Sequence, residues 1–180
     1  MMRRTLHASA ADSLRLAVAC ADANRRLPVL ESAEVVLPAR DSATVLLLDG
    51  TGAVRDASGT RVVEAGLTDW RAVGDFGQDG ASEAIDVVWS SGGGSVTSME
   101  LALFALEHGG WMSDDVWRWR ASAPLGDRVR VRALTGDREI VEVHLTRHGP
   151  GDLSCCPTHE AVLRFVVTGG GVEERSTRGH

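Results

Sequence analysis

A chain of 180 residues with 43% apolar side chains is long enough for one buried core, and no Pro/Gly/Ser-rich linker divides it into two. Its 19 basic residues, all arginine, are outnumbered by 25 carboxylates, and the net charge of -6 argues against nucleic acid as the main partner. Lysine and tyrosine are absent, which excludes a Schiff-base lysine, a P-loop lysine and a tyrosine acid; three cysteines are too few for a disulfide-built scaffold.

In chain order, residues 9–26 read as a helix. Ser9 and Asp12 resemble a capping box, Leu6, Ala10, Leu14, Ala17, Val18 and Ala21 fall at helical spacing, and Pro28 forbids continuation. Met1-Met2-Arg3-Arg4 followed by Leu16-Ala17-Val18-Ala19-Cys20 has the outline of a lipoprotein export signal. Asp12 and Arg15 interrupt the apolar stretch such a signal needs, so the segment reads as a helix and not as a signal peptide. No run of about 18 apolar residues exists, so no transmembrane segment is expected.

From Ser32 the periodicity becomes that of strands: residues 33–37, 43–48, 61–63, 70–73, 83–90, 95–106, 116–121, 128–134, 139–145 and 160–167. Asp49-Gly50-Thr51-Gly52, Asp56 to Gly59, Gly92-Gly93-Gly94, Gly109-Gly110 and Gly136-Asp137 punctuate them. The expected class is α+β, mostly antiparallel β: one strongly bent or closed sheet with an N-terminal helix. The expected organisation is an N-terminal helical extension over 1–27, a β-rich domain over 28–170 and a disordered tail over 171–180.

Four motifs follow one another in fixed order: Gly74-Asp75-Phe76-Gly77-Gln78-Asp79-Gly80-Ala81-Ser82-Glu83-Ala84, Ser91-Gly92-Gly93-Gly94-Ser95, Leu125-Gly126-Asp127-Arg128-Val129, and His148-Gly149-Pro150-Gly151-Asp152 through Cys155-Cys156-Pro157-Thr158. Together they resemble a widespread group of bacterial exported proteins of unassigned function, similar to the LppP/LprE-type lipoproteins, over about residues 28 to 175. The resemblance implies an extracytoplasmic domain of β-rich fold with no established reaction. The chain lacks a recognisable export signal, which leaves a cytoplasmic location open, and Gly77 stands where the pattern usually carries asparagine.

Three sets of residues could carry chemistry. Asp75, Asp79 and Glu83, with Gly80 allowing a sharp turn, have the form of a calcium loop leading into a strand; the alternative is a polar turn whose aspartates accept backbone N–H groups, with no cofactor at all. Cys155 and Cys156 sit between Pro150 and Pro157, and neighbouring strand residues would point to opposite faces, so a loop is required to use both. A vicinal disulfide would squeeze a Cα separation of about 3.8 Å into chemistry that prefers roughly 4.4 to 6.8 Å. Zinc held by His144, His148, Cys155, Cys156 and His159 is a second reading, a thiolate nucleophile with His148 or His159 as base and Asp152 as orienter is a third, and a pinned loop without chemistry is the fourth. Finally, Arg118, Arg120, Arg128, Arg130 and Arg132 alternate with Trp117, Trp119, Val129 and Val131. If their strands are neighbours, one face is an arginine stripe suited to an anionic ligand or envelope polymer.

The ligand or structural motif is therefore expected at Asp127, Arg128, His148, Gly149, Asp152, Cys155 and Cys156, with Arg128 pairing to Asp152. The expected function is a non-catalytic, envelope-associated binding or structural module. The alternative is a thiol-dependent enzyme or redox-switched protein using Cys155 and Cys156 with His148.

Overall fold

The computed structural model describes residues 30, 32–40, 42–94, 96–108, 115–153, 155–168 and 170–175; the expected N-terminal helix over residues 9–26 lies outside them. The described chain is mostly antiparallel β. Its strands are β1 (Glu34–Leu37), β2 (Ala43–Leu46), β3 (Thr51–Arg55), β4 (Arg61–Gly74), β5 (Glu83–Ser91), β6 (Thr97–Glu107), β7 (Val116–Asp127), β8 (Arg130–Asp137), β9 (Ile140–Arg147), β10 (His159–Thr168) and β11 (Gly171–Glu174). Among the described residues helical backbone is confined to Leu30 and the 3-10 turn Pro38–Arg40. No helix among them is long and apolar enough to cross a membrane.

The single bent or closed sheet is not what forms. The strands divide into a hairpin β1-β2, a five-stranded sheet β3-β4-β5-β6-β7 and a four-stranded sheet β11-β10-β9-β8, every strand pairing with its chain neighbour. The break falls at the Leu-Gly-Asp-Arg segment. Gly126 (φ 119°) and Arg128 (φ 54°) take left-handed backbone, and the Arg128 N–H turns back to the Thr97 carbonyl at 2.8 Å, so the chain leaves the central sheet and starts another. The arginine stripe is broken with it. Arg118 and Arg120 lie on β7 and share Glu107, at 3.2 and 2.9 Å, whereas Arg130 and Arg132 lie on β8 in the other sheet.

Three layers result. On one face of the central sheet, Ile85, Val87, Leu101, Leu103 and Leu125 pack against Val141, Val143, Leu145, Phe165 and Val167 of the four-stranded sheet. On the other, Ala84, Val88, Ala102, Phe104 and Trp117 meet Val35, Leu37, Val45 and Leu47 of the hairpin. Covering both faces explains why β5 and β6 read as near-continuous apolar runs rather than alternating ones. Each fully buried Leu, Val or Phe contributes roughly 1.5–3 kcal/mol. The layers are fastened at one end by Arg40, whose guanidinium donates to the Ser90 and Val96 carbonyls and to Ser98 Oγ at 3.2–3.4 Å, while Ser98 Oγ donates to Asp127 at 2.5 Å.

The expected disordered tail begins too early in the sequence reading: Gly171–Glu174 pair with Phe165–Thr168, and Val172 is buried in the sandwich core. The glycines there hid a strand that supplies one apolar side chain. A second departure is larger. The separate strands expected at 61–63 and 70–73 are one long strand, β4, interrupted between Leu67 and Arg71: the five residues Leu67 to Arg71 span what the three residues Val88 to Asp86 span on β5. Such a bulge bends the strand and re-aims its side chains.

Candidate functional site

The acidic loop does come together. Asp75, Asp79 and Glu83 each bring a carboxylate oxygen within 4.8 Å of the others. Each carboxylate also accepts backbone N–H groups of its own turn. Asp75 accepts the Asp79 and Gly80 N–H groups, both at 3.1 Å, Asp79 accepts that of Ala81 at 2.9 Å, and Glu83 Oε2 accepts those of Phe76 and Gly77 at 2.7 and 3.1 Å. Gly80 supplies the left-handed corner at φ 84°. Burial, with the Asp79 and Asp75 charges adding to it, raises the Glu83 carboxyl above its ordinary value. The loop also latches the two sheets: the Phe76 ring lies over Gly136, where an added Cβ would come within 2.5 Å of it, and Gln78 donates to Glu139 at 2.5 Å. The turn thus has the backbone hydrogen bonds of the polar-turn reading together with the carboxylate convergence of the calcium reading.

The His148–Thr158 loop is held from within. Asp152 accepts the Gly149 and Thr158 N–H groups, both at 2.8 Å, and the Thr158 hydroxyl at 2.7 Å, and these bonds pull its carboxyl down to about 2. All three come from the loop and none from Arg128. Asp127 belongs instead to the Arg40 fastening. Cys155 and Cys156 are free thiols, both exposed, in a turn closed by the Cys156 N–H on the Leu153 carbonyl at 2.9 Å. The neighbouring Cys155 thiol pushes Cys156 above the ordinary thiol value and outweighs the pull of Arg130. A nucleophilic cysteine needs the opposite shift. His148 Nε2 is buried and makes no hydrogen bond among the described residues, so it does not engage a thiol as a base would. His144 projects from the exposed side of β9, and among the described residues the acidic trio alone satisfies the ligand spacing of a metal group.

A different place has the shape of a binding site. Where β4 and β8 face each other at the open edge of the sandwich, a cleft of about 500 Å³ is lined by Thr68, Asp69 and Trp70 of the bulge, Trp89 and Met99 of the sheet, and Val129 with the first three residues of β8, Arg130 to Arg132. The volume is that of a small-molecule pocket. Gly66, Trp89, Met99 and Gly126 stand side by side across four strands. Because Gly66 has no side chain, the Trp89 indole lies directly over it; a Cβ there would meet Nε1 at 2.6 Å. Trp70 is 37% exposed at the cleft. A larger depression, of about 660 Å³ around Thr135–Ile140, lacks aromatic lining, and its Arg164 is neutralised by Glu142.

The bulge that carries Trp70 is fixed by a buried charge. Strand alternation puts Asp86 among Ala84 and Val88, on the hairpin side of the sheet, with no solvent exposure. Its carboxylate accepts Arg71 Nε at 2.6 Å and the Thr68 N–H at 3.4 Å, one on each side of Trp70, and Thr68 Oγ1 accepts the Trp70 N–H at 3.1 Å. Burial raises the Asp86 carboxyl to about 6, against the pull of Arg71. A buried carboxylate committed to the shape of one bulge sets this edge apart from an ordinary strand end. On the facing wall, Arg132 donates to Thr146 Oγ1 at 3.3 Å, and neither Arg130 nor Arg132 meets a carboxylate among the described residues.

The residues of this cleft stood in the sequence as strand positions and as part of the arginine stripe. The readable signal was Asp86, a lone acid inside the apolar run Ala84–Trp89, with Gly66 and the polar step Thr68-Asp69 one strand away. No family model, no curated protein and no solved structure matches the chain.

Proposed function

We propose that this protein is a non-catalytic binding module that holds a small ligand in the Trp70–Trp89 cleft, and that it works in the cell envelope, as the resemblance of its motifs to those of exported bacterial proteins implies. The observation that carries the reading is the anchored bulge: a buried Asp86–Arg71 pair fixes Trp70 opposite two arginines that meet no carboxylate among the described residues. Fixed aromatic walls with a few polar groups at the rim favour binding. Against a thiol enzyme stand the raised Cys156 thiol and the lack of a base engaged with it. On this reading no cofactor is required, and the acidic loop and the cysteine loop brace the fold.

The test is to follow the tryptophan indole N–H resonances while small acids, alcohols and sugars are added. Ligands should move the signals of Trp70 and Trp89 and leave that of buried Trp117 in place, and Trp70→Ala should weaken binding without loss of folded signal. Binders that leave both cleft signals unmoved, or that are turned over chemically, would falsify the proposal.

A further inference from the structure

Resting on that reading of the cleft, we infer that its ligand is a small anionic amphiphile: a carboxylate or phosphate head group at Arg130 and Arg132, on an apolar body seated between Trp70 and Trp89. The two walls differ in chemistry. Arg130, Val131 and Arg132 line the cleft along the β8 edge. Val131 packs toward the core, so the two arginines alternate to the outer side, where Arg132 Nε donates to Thr146 Oγ1 at 3.3 Å, and they meet the cleft at its rim, round the strand edge. The facing floor is Val87, Trp89 and Met99. Among the described residues Arg61, Arg71, Arg118, Arg120 and Arg164 each meet a carboxylate; Arg130 and Arg132, like Arg40, Arg55, Arg138, Arg147 and Arg175, meet none, and of these unpaired arginines only Arg130 and Arg132 line this cleft. Asp69, exposed on the bulge side, makes that rim negative and so gives the cleft a direction: the anion belongs at the β8 wall, away from Asp69. A guanidinium beside an apolar, partly dehydrated cleft binds an anion more strongly than it would in open water, and its planar fork suits carboxylate and phosphate oxygens. The apolar floor supplies what a free inorganic anion cannot use.

Three probes separate the contributions: 2-naphthoate carries the anion and the flat body, 2-naphthylmethanol the body alone, and inorganic phosphate the anion alone. Calorimetric titration of the full chain should find naphthoate bound about tenfold or more tightly than the alcohol, the size of one charge-assisted hydrogen bond, with phosphate weakest. The double variant Arg130→Gln with Arg132→Gln should erase the preference for the acid while the alcohol binds as before, and Trp70→Ala should weaken both organic probes. All these side chains are exposed, and a urea midpoint close to that of the parent confirms that each variant folds. Equal affinity for acid and alcohol, or a preference that survives removal of both arginines, overturns the anion assignment and leaves the cleft as a binding site. Organic probes that bind regardless of Trp70 overturn the cleft reading itself. Phosphate binding as well as naphthoate would mean a bare anion site, and that too refutes the amphiphile.

Discussion

Asp86 gives the fold a pH dependence that can be worked from its surroundings. Its carboxyl has no solvent exposure and is held up to about 6, against 3.8 for an ordinary aspartate. Between those values the folded carboxyl still carries a proton that the unfolded one has lost, so folding takes up a proton and stability falls as pH rises. At about 1.4 kcal/mol for each pH unit, the loss across the window is about 3 kcal/mol, complete above the folded value. Glu83, also raised by burial, acts in the same direction; Asp152, lowered to about 2, acts in the opposite direction in the more acidic range. Asp86→Asn isolates the one contribution, because asparagine keeps the size and an acceptor for Arg71 but does not titrate. Urea unfolding of both proteins from about pH 3.5 to 7.5 should show the parent losing about 3 kcal/mol relative to the variant. A difference that is flat would mean that Asp86 is not effectively buried. One that climbs with pH would mean that Arg71 outweighs burial, and either result refutes the reasoning.

Gly66→Ala drives a Cβ into the Trp89 indole and should destabilise by about 1–3 kcal/mol in urea unfolding, with a displaced Trp89 indole resonance. Replacing both Cys155 and Cys156 by serine should change stability by no more than about 0.5 kcal/mol, since both thiols are exposed, and should leave naphthoate affinity untouched. Asp152→Ala removes the acceptor of three loop hydrogen bonds, and limited proteolysis should nick the His148–Thr158 segment faster than in the parent. Adding calcium or a chelator should leave the melting temperature unchanged, because the Asp75, Asp79 and Glu83 oxygens already close the turn; a calcium-dependent rise that Asp79→Ala removes would establish a cation there instead.

Strands were legible wherever short-range chemistry decides them. Alternation and turn glycines located β1, β2, β5, β6, β9 and β10 closely, and Asp56 with Gly59 announced the β3–β4 turn, where Asp56 accepts the Ser58 and Thr60 N–H groups. The partition into sheets was not legible, because it turns on the left-handed backbone of Arg128, a residue type with no preference for it. β11 was hidden for a related reason: Gly171 and two glutamates look like a tail, and only pairing with Phe165–Thr168 makes them a strand. At the cleft, Trp89 and Met99 are separated by nine intervening residues and meet only through register, while Trp70 reaches them through a bulge that no local pattern announces. The cysteine loop was conspicuous in the sequence because its residues are rare and adjacent, which is a property of composition and not of placement.

The double coverage of the central sheet has a consequence for biosynthesis. One side can be sheltered early, since the β1-β2 hairpin precedes it, but the other waits for β8 to β11, the last part of the described chain to be translated. A chain in which β8 to β11 have not yet docked leaves Ile85, Val87, Leu101 and Leu103 as an uncovered apolar face, the kind of surface from which aggregation starts.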